Sequence, residues 1–134
     1  MIDTAPVSVN GASVKTAVII LFHGSRAEGS DATVHRIIAE VRRRGHFGIV
    51  AEAFLQHATP GLRESVAFCI QQHAEKIMLV PFFLQLGGHV TADIPLLVDE
   101  IRHGHPGIEI TLTEPVGSHP LLVDVVLDLA AIVK

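Results

Sequence analysis

His23 and His89 are the residues whose type and setting best suit them to chemistry. Each abuts glycine, His23 before Gly24 in FHGSR and His89 after Gly87 and Gly88 in LGGHV. Imidazole binds mid-row divalent metals and takes up or releases a proton near neutral pH. Two imidazoles meeting at one point can therefore hold an ion, move a proton, or do both. Gln56 and His57 stand in a comparable segment, AFLQHATP, and His119 in GSHP. His57 and His119 read equally well as functional or as surface residues. Of the nine histidines, five need no functional account: His35, His46, His73 and His103 suit surface positions on helices or turns, and His105 suits a turn.

Other chemistries fit less well. A structural zinc site usually takes four ligands with cysteine among them, and the chain has one cysteine, Cys69, inside a helical pattern. Histidines without a thiolate or a dense carboxylate set suit a metal that passes through. The HGSRAEGS segment could offer backbone N–H groups to an anion at a helix start, but it lacks the Gly-Lys-Ser/Thr of a phosphate loop. Ser25 is not framed by the G-x-S-x-G turn of a nucleophilic serine.

The elements that must position these residues alternate along the chain. Thr16–Phe22 is a β-branched apolar run and reads as a first buried strand. Ser30 or Asp31 is placed to cap a helix with Val34, Ile37, Ile38 and Val41 on one face, closed by Arg42, Arg43 and Arg44 and stopped at Gly45. The arginines read as a solvated helix end. Gly48–Phe54 is the second strand. Thr59 then caps a helix, with Pro60 at its first position and Leu62, Val66, Cys69 and Ile70 as its stripe.

The third strand, from Ile77 through Phe83, is continuously apolar and reads as covered on both faces. After the Gly87–Gly88–His89 loop, Thr91 or Asp93 caps a helix carrying Ile94, Leu97, Val98 and Ile101. Ile108–Leu112 is the fourth strand. Ser118 is placed to cap the last helix, which has Leu122, Val125, Val126, Leu129 and Ile132 on one stripe and Leu121, Val123 and Leu127 off it. A helix so nearly apolar all round should be buried on more than one side, and in so small a domain the second face suggests a subunit interface.

Four βα units predict an α/β fold: a three-layer sandwich with a four-stranded parallel sheet and helices on both faces. All four strand-to-helix loops then gather at one edge, where ligands bind in such sheets. The expected organisation is a flexible tail over residues 1–15 and a single domain over 16–134. The tail lacks the basic start and apolar core of a signal peptide, and no apolar run reaches membrane-spanning length. One cysteine is compatible with a reducing cytosol, so the expected location is cytoplasmic. A net charge of −4 and the absence of Trp and Tyr leave neither a basic field nor the usual stacking platforms for nucleic acid.

The segments FHGSR at 22–26, AFLQHATP at 53–60, VPFFLQLGGHVTADIP at 80–95 and EPVGSHPLL at 114–122 resemble the short CbiX-type sirohydrochlorin chelatases, in that family's order and over nearly all of Thr16–Lys134. The resemblance implies ATP-independent insertion of Co²⁺, or of Fe²⁺ or Ni²⁺, into sirohydrochlorin for cobalamin or sirohaem synthesis. The metal would be a substrate, with no permanently bound cofactor. His23 and His89 match the family's metal-handling histidines and would be catalytic. Ser25, Arg26, Gln56, Gly87 and Gly88 would contact the tetrapyrrole, and His57 would be a further metal ligand.

Short members of this family are expected to form homodimers. Many members carry Glu where this chain has Gln56, so either His57, Glu52 or another group would take that carboxylate's part, or the chain would be less active. The polycarboxylate ring needs local cations, for which Arg26 and Arg63 are candidates. Two other classes stay open: a non-catalytic metal or tetrapyrrole carrier, favoured by Gln56, and a flavodoxin-like flavin protein, disfavoured by the missing Trp and Tyr.

Overall fold

A computed structural model describes residues 15–24, 30–85 and 88–132, with backbone only at 30, 31, 88–91 and 132. Strand β1 spans Thr16–Phe22, helix α1 Ser30–Arg44, β2 Ile49–Phe54, α2 Leu62–Gln71, β3 Lys76–Pro81, α3 Gly88–Gly104, β4 Glu109–Leu112 and α4 Leu121–Ile132. A short 3₁₀ turn over Val116–Ser118 precedes α4. The predicted α/β alternation is therefore present throughout, with the second and fourth strands each one residue shorter than expected and the third ending at Pro81.

All strand pairings are parallel, and the four-stranded sheet has the order β2-β1-β3-β4. The chain steps from β1 to one side, then returns past β1 to β3 and continues outward to β4. The direction of winding reverses between β1 and β3, so the loops after these two strands flank the switch point. In open α/β sheets the crevice at that point, beyond the carboxyl ends of the strands, is where ligands lodge.

Period-two side-chain direction divides the sheet into two cores. On one face Ala17, Ile19, Leu21, Ile77 and Leu79 pack with Val66, Cys69, Val98 and Ile101, so α2 and α3 share that face. On the other, Val18, Ile20, Phe22 and Val50 pack with Val34 and Ile38 of α1. Each fully buried aliphatic side chain contributes about 1.5–3 kcal/mol. Every residue of β1 is buried, as expected of the strand with neighbours on both sides.

In β3 the expectation of cover on both faces fails. Ile77, Leu79 and Pro81 are buried, whereas Met78 and Val80 are only half-buried. That half-open face lies beyond α1, in the direction of α4. The last helix does not close over it: Leu121, Val123, Val126, Leu127 and Leu129 are each about 60% exposed. The expectation that α4 is buried on more than one side is thus wrong for the single chain. A cleft of about 630 Å³ separates Val80 and Thr113 from Leu121, Leu122 and Val125.

Both edge strands are gripped by arginine. Arg42 at the end of α1 donates through Nη2 to the Val50 carbonyl at 2.9 Å. Arg102 at the end of α3 donates through Nε and Nη2 to the Ile110 carbonyl at 3.1 and 2.9 Å. Arg42 is thus part of the scaffold, and only Arg43 and Arg44, which pair with Glu40, form the expected solvated end.

Helix starts are where local sequence rules failed most. Gly61 caps α2, and its N–H donates to Glu64 Oε1 at 2.7 Å; Thr59 and Pro60 lie before the cap. Helix α3 begins at Gly88, ahead of Thr91 and Asp93, so neither can be its cap. At α4 the cap is His119, whose Nδ1 accepts the Leu121 N–H at 3.1 Å, and Ser118 belongs to the 3₁₀ turn. The proposed caps Ser30 and Asp31 fall on side chains outside those described.

Candidate functional site at the carboxyl edge of the sheet

The four strand ends are tied into a continuous rim in the order of the strands. Leu55 N donates to Phe22 O at 3.0 Å and Gln56 N to His23 O at 3.1 Å, so the β1–β2 ladder continues into the loops. Phe82 N donates to Leu21 O at 2.8 Å and Gly117 N to Phe83 O at 2.8 Å. The loop after β2 therefore lies against that after β1, and the turn after β4 lies against the segment after β3.

Two glycines permit these approaches. Gly24 has φ +93°, and a Cβ there would lie 1.7 Å from the Gln56 carbonyl oxygen. A Cβ on Gly117 would lie 2.1 Å from the Leu84 carbonyl oxygen. No side chain fits either place without moving backbone.

His23 emerges from this frame as an exposed side chain directly beyond β1. Its Nε2 lies 3.1 Å from Gln56 Nε2. Its ring stands T-shaped to Phe83, with centroids 6.0 Å apart and an interplanar angle of 79°. Beneath the rim, Phe22 lies 5.9 Å from Phe54 and 5.2 Å from Phe82 between ring centroids. β1 and β2 thus end in aromatic rings and β3 is followed at once by one, and the three pack together on the α1 side of the sheet.

The remaining predicted residues divide by what is described. Gly88 and His89 open α3, so His89 stands in the first turn of a helix rather than in the loop before it. Its backbone is on the same rim as His23, across the switch point; its side chain lies outside the description, as do Ser25, Arg26 and Gly87. His57 follows Gln56 at φ 65°, a left-handed conformation uncommon for residues with a side chain. His119 sits on the rim but beyond β4, two strands from β1, with Nδ1 engaged by the α4 backbone.

Glu52, considered as a substitute base, lies within β2 and lines a separate cleft with Arg42, Pro60 and Glu64. Arg63, considered as a cation for substrate, is paired with Glu100 at 2.6 Å. Among the described residues no three or more His, Cys, Asp or Glu side chains are grouped as a metal site. Sequence reasoning did not single out Phe83 or Gly117 as parts of this site. A glycine beside a proline-bounded turn was a signal for the second, but its backbone partner at Leu84 is fixed only by strand order.

This geometry offers an exposed imidazole with an adjacent amide and the Phe83 ring against it, at the switch point between β1 and β3. It can present a nitrogen to an ion or a proton without a permanent cage around either. Residues 17–132 match the CbiX family. The chain belongs to the CbiX family.

Its relatives include a chloroplastic sirohydrochlorin ferrochelatase of Arabidopsis thaliana, 34% identical over 89% of this chain and 53% of that protein. A sirohydrochlorin cobaltochelatase of Methanocaldococcus jannaschii is 29% identical over 85% of this chain and 96% of its own length. The chain thus spans about half the length of the plant relative and nearly all of the archaeal one. Among solved structures, a putative cobalamin biosynthesis CbiX protein from Marinobacter aquaeolei superposes with a TM-score of 0.76 at 27% identity, covering 87% of this chain and 95% of that one. Among the described residues no helix is long and apolar enough to cross a membrane.

Proposed function

We propose that this CbiX-family chain is a sirohydrochlorin chelatase, inserting a divalent metal ion into the tetrapyrrole without ATP. Co²⁺ is the preferred ion in this reading, with Fe²⁺ and Ni²⁺ as alternatives, for cobalamin or sirohaem synthesis in the cytoplasm. The observation that carries it is the position of His23: an exposed imidazole beyond β1 in a CbiX-family sheet, with α3, whose first turn holds the His89 backbone, following the neighbouring strand β3 across the switch point.

In the reaction the ion leaves water for the four ring nitrogens, and the macrocycle gives up two pyrrole protons. Imidazole is suited to both tasks, as a ligand that exchanges readily and as a general base. His23 and His89 take these roles, with His57 beside them. Gln56, Gly87, Gly88, Ser25 and Arg26 line the approach of the ring. Arg63 contributes less than Arg26 because Glu100 already neutralises it.

Residues 16–134 act as one domain, and a homodimer completes the assembly. The support is α4, whose apolar side chains Leu121, Val123, Val126, Leu127 and Leu129 stay exposed in the single chain. Contiguous apolar surface of that kind marks an interaction face.

The test is anaerobic mixing of the protein with sirohydrochlorin and Co²⁺, followed by the absorption spectrum. Many ring equivalents should be converted per protein chain. Conversion that stops at one equivalent would replace the enzyme reading with a carrier. Parallel runs with Fe²⁺ and Ni²⁺ rank the metals.

A further inference from the structure

We propose that Gln56 is a positioning residue for His23: its amide holds the ring in the Nδ1–H tautomer and occupies the Nε2 lone pair, so an incoming ion must displace it. This rests on the reading of His23 as an ion-handling residue. An amide nitrogen can only donate a hydrogen bond. With the amide in this orientation, Gln56 Nε2 lies 3.1 Å from His23 Nε2, so the ring nitrogen accepts and the ring proton belongs on Nδ1. The reversed amide would accept from Nε2–H through Oε1, and the histidine spectra below separate the two.

The pairing is imposed by backbone rather than by chance contact of two surface side chains. Gln56 N donates to His23 O at 3.1 Å, which fixes the two residues side by side. Gly24, at φ +93°, lies flat on the Gln56 carbonyl. The Phe83 ring lies against the imidazole at 79°, with centroids 6.0 Å apart.

The chemistry of the alternative residue sharpens the inference. Glutamate here could only accept, would favour a proton on Nε2, and would offer the ion a second, charged ligand. Glutamine does the reverse on each count. Both partners are exposed, so water competes and the hold is weak. Net hydrogen-bond strengths of this kind correspond to about a two- to tenfold change in an equilibrium. An ion can therefore enter, but with lower resting affinity than an unoccupied imidazole would give it.

The experiment compares wild type with Gln56→Met, which keeps the side-chain length and removes the donor. Long-range ¹H–¹⁵N spectra of metal-free, ¹⁵N-labelled protein report the tautomer of each histidine, with His23 assigned by its loss in His23→Ala. In wild type His23 should show an unprotonated Nε2 and a protonated Nδ1, and Gln56→Met should move population toward Nε2–H. Titration with Co²⁺ alone, at one pH, should show Gln56→Met binding about two- to tenfold more tightly. A wild-type His23 protonated on Nε2, or a Gln56→Met protein with unchanged tautomer and affinity, overturns the inference. If His23→Ala binds Co²⁺ as wild type does, the ion-handling reading and the displacement step fall together, while the spectra still decide the tautomer. Equal thermal melts of wild type and Gln56→Met exclude misfolding as the cause.

Discussion

At Gly24 a side chain would meet the Gln56 carbonyl oxygen at 1.7 Å, with the backbone at φ +93°. Gly24→Ala should therefore destabilise the rim, the unfavourable φ alone costing about 1–3 kcal/mol. A thermal melt should fall by several degrees, and the Gln56–His23 pairing should be lost from the histidine spectra; an unchanged melt would mean that the two loops separate freely. His23 itself contributes little to the core because it is exposed. His23→Ala should leave stability within about 0.5 kcal/mol and lower metal insertion by about 10²- to 10⁴-fold, the usual range for a lost acid–base group. Retained turnover would remove His23 from the mechanism. Gln56→Glu supplies a carboxylate ligand and base next to the ring, so turnover should rise, measured with the same spectroscopic assay. The histidine and its glycine were legible in sequence as a pair. Their contact with Gln56 was not, because it joins positions 33 residues apart through the pairing of β1 with β2.

The elements were legible from periodicity, and the helix caps were not. The stripes of α1, α2 and α3 turn the residues that their spacing named toward the core, with Ile37, Val41, Ile70 and Leu97 half-buried and the others buried, since burial follows the helical period. Caps failed because a helix start is chosen by whichever group can reach the free N–H groups. Glu64 reaches back to Gly61 at α2, and the His119 ring reaches Leu121 at α4. The largest departure is α4, whose apolar content was plain and whose exposure was not. Val126→Glu with Leu127→Glu should turn a dimeric protein into a soluble monomer on size-exclusion chromatography with light scattering. If wild type is already monomeric at micromolar concentration, a second copy does not cover this face.

For the whole molecule, burial of Cys69 offers a pH test of stability. Burial raises its thiol from 9.0 to about 11. Below pH 9 the thiol is protonated whether the chain is folded or not, and the site adds no pH dependence. As pH rises from about 9 to 11 the unfolded chain loses a proton that the folded chain keeps, so stability falls, by up to about 3 kcal/mol. Urea denaturation across this range should show the decline in wild type and a shallower one in Cys69→Ala; parallel curves would mean that the thiol ionises alike in both states. By itself, the sequence determined four βα units, two core faces and a set of loop histidines bound for one edge, because these follow from period and chain direction. Only the tertiary structure decided the order β2-β1-β3-β4, which puts His23 and the start of α3 on either side of the switch point. It alone set Gln56 on the His23 ring and left α4 uncovered. Strand order and uncovered surface depend on which elements meet across the sheet, and no local pattern of residues encodes that choice.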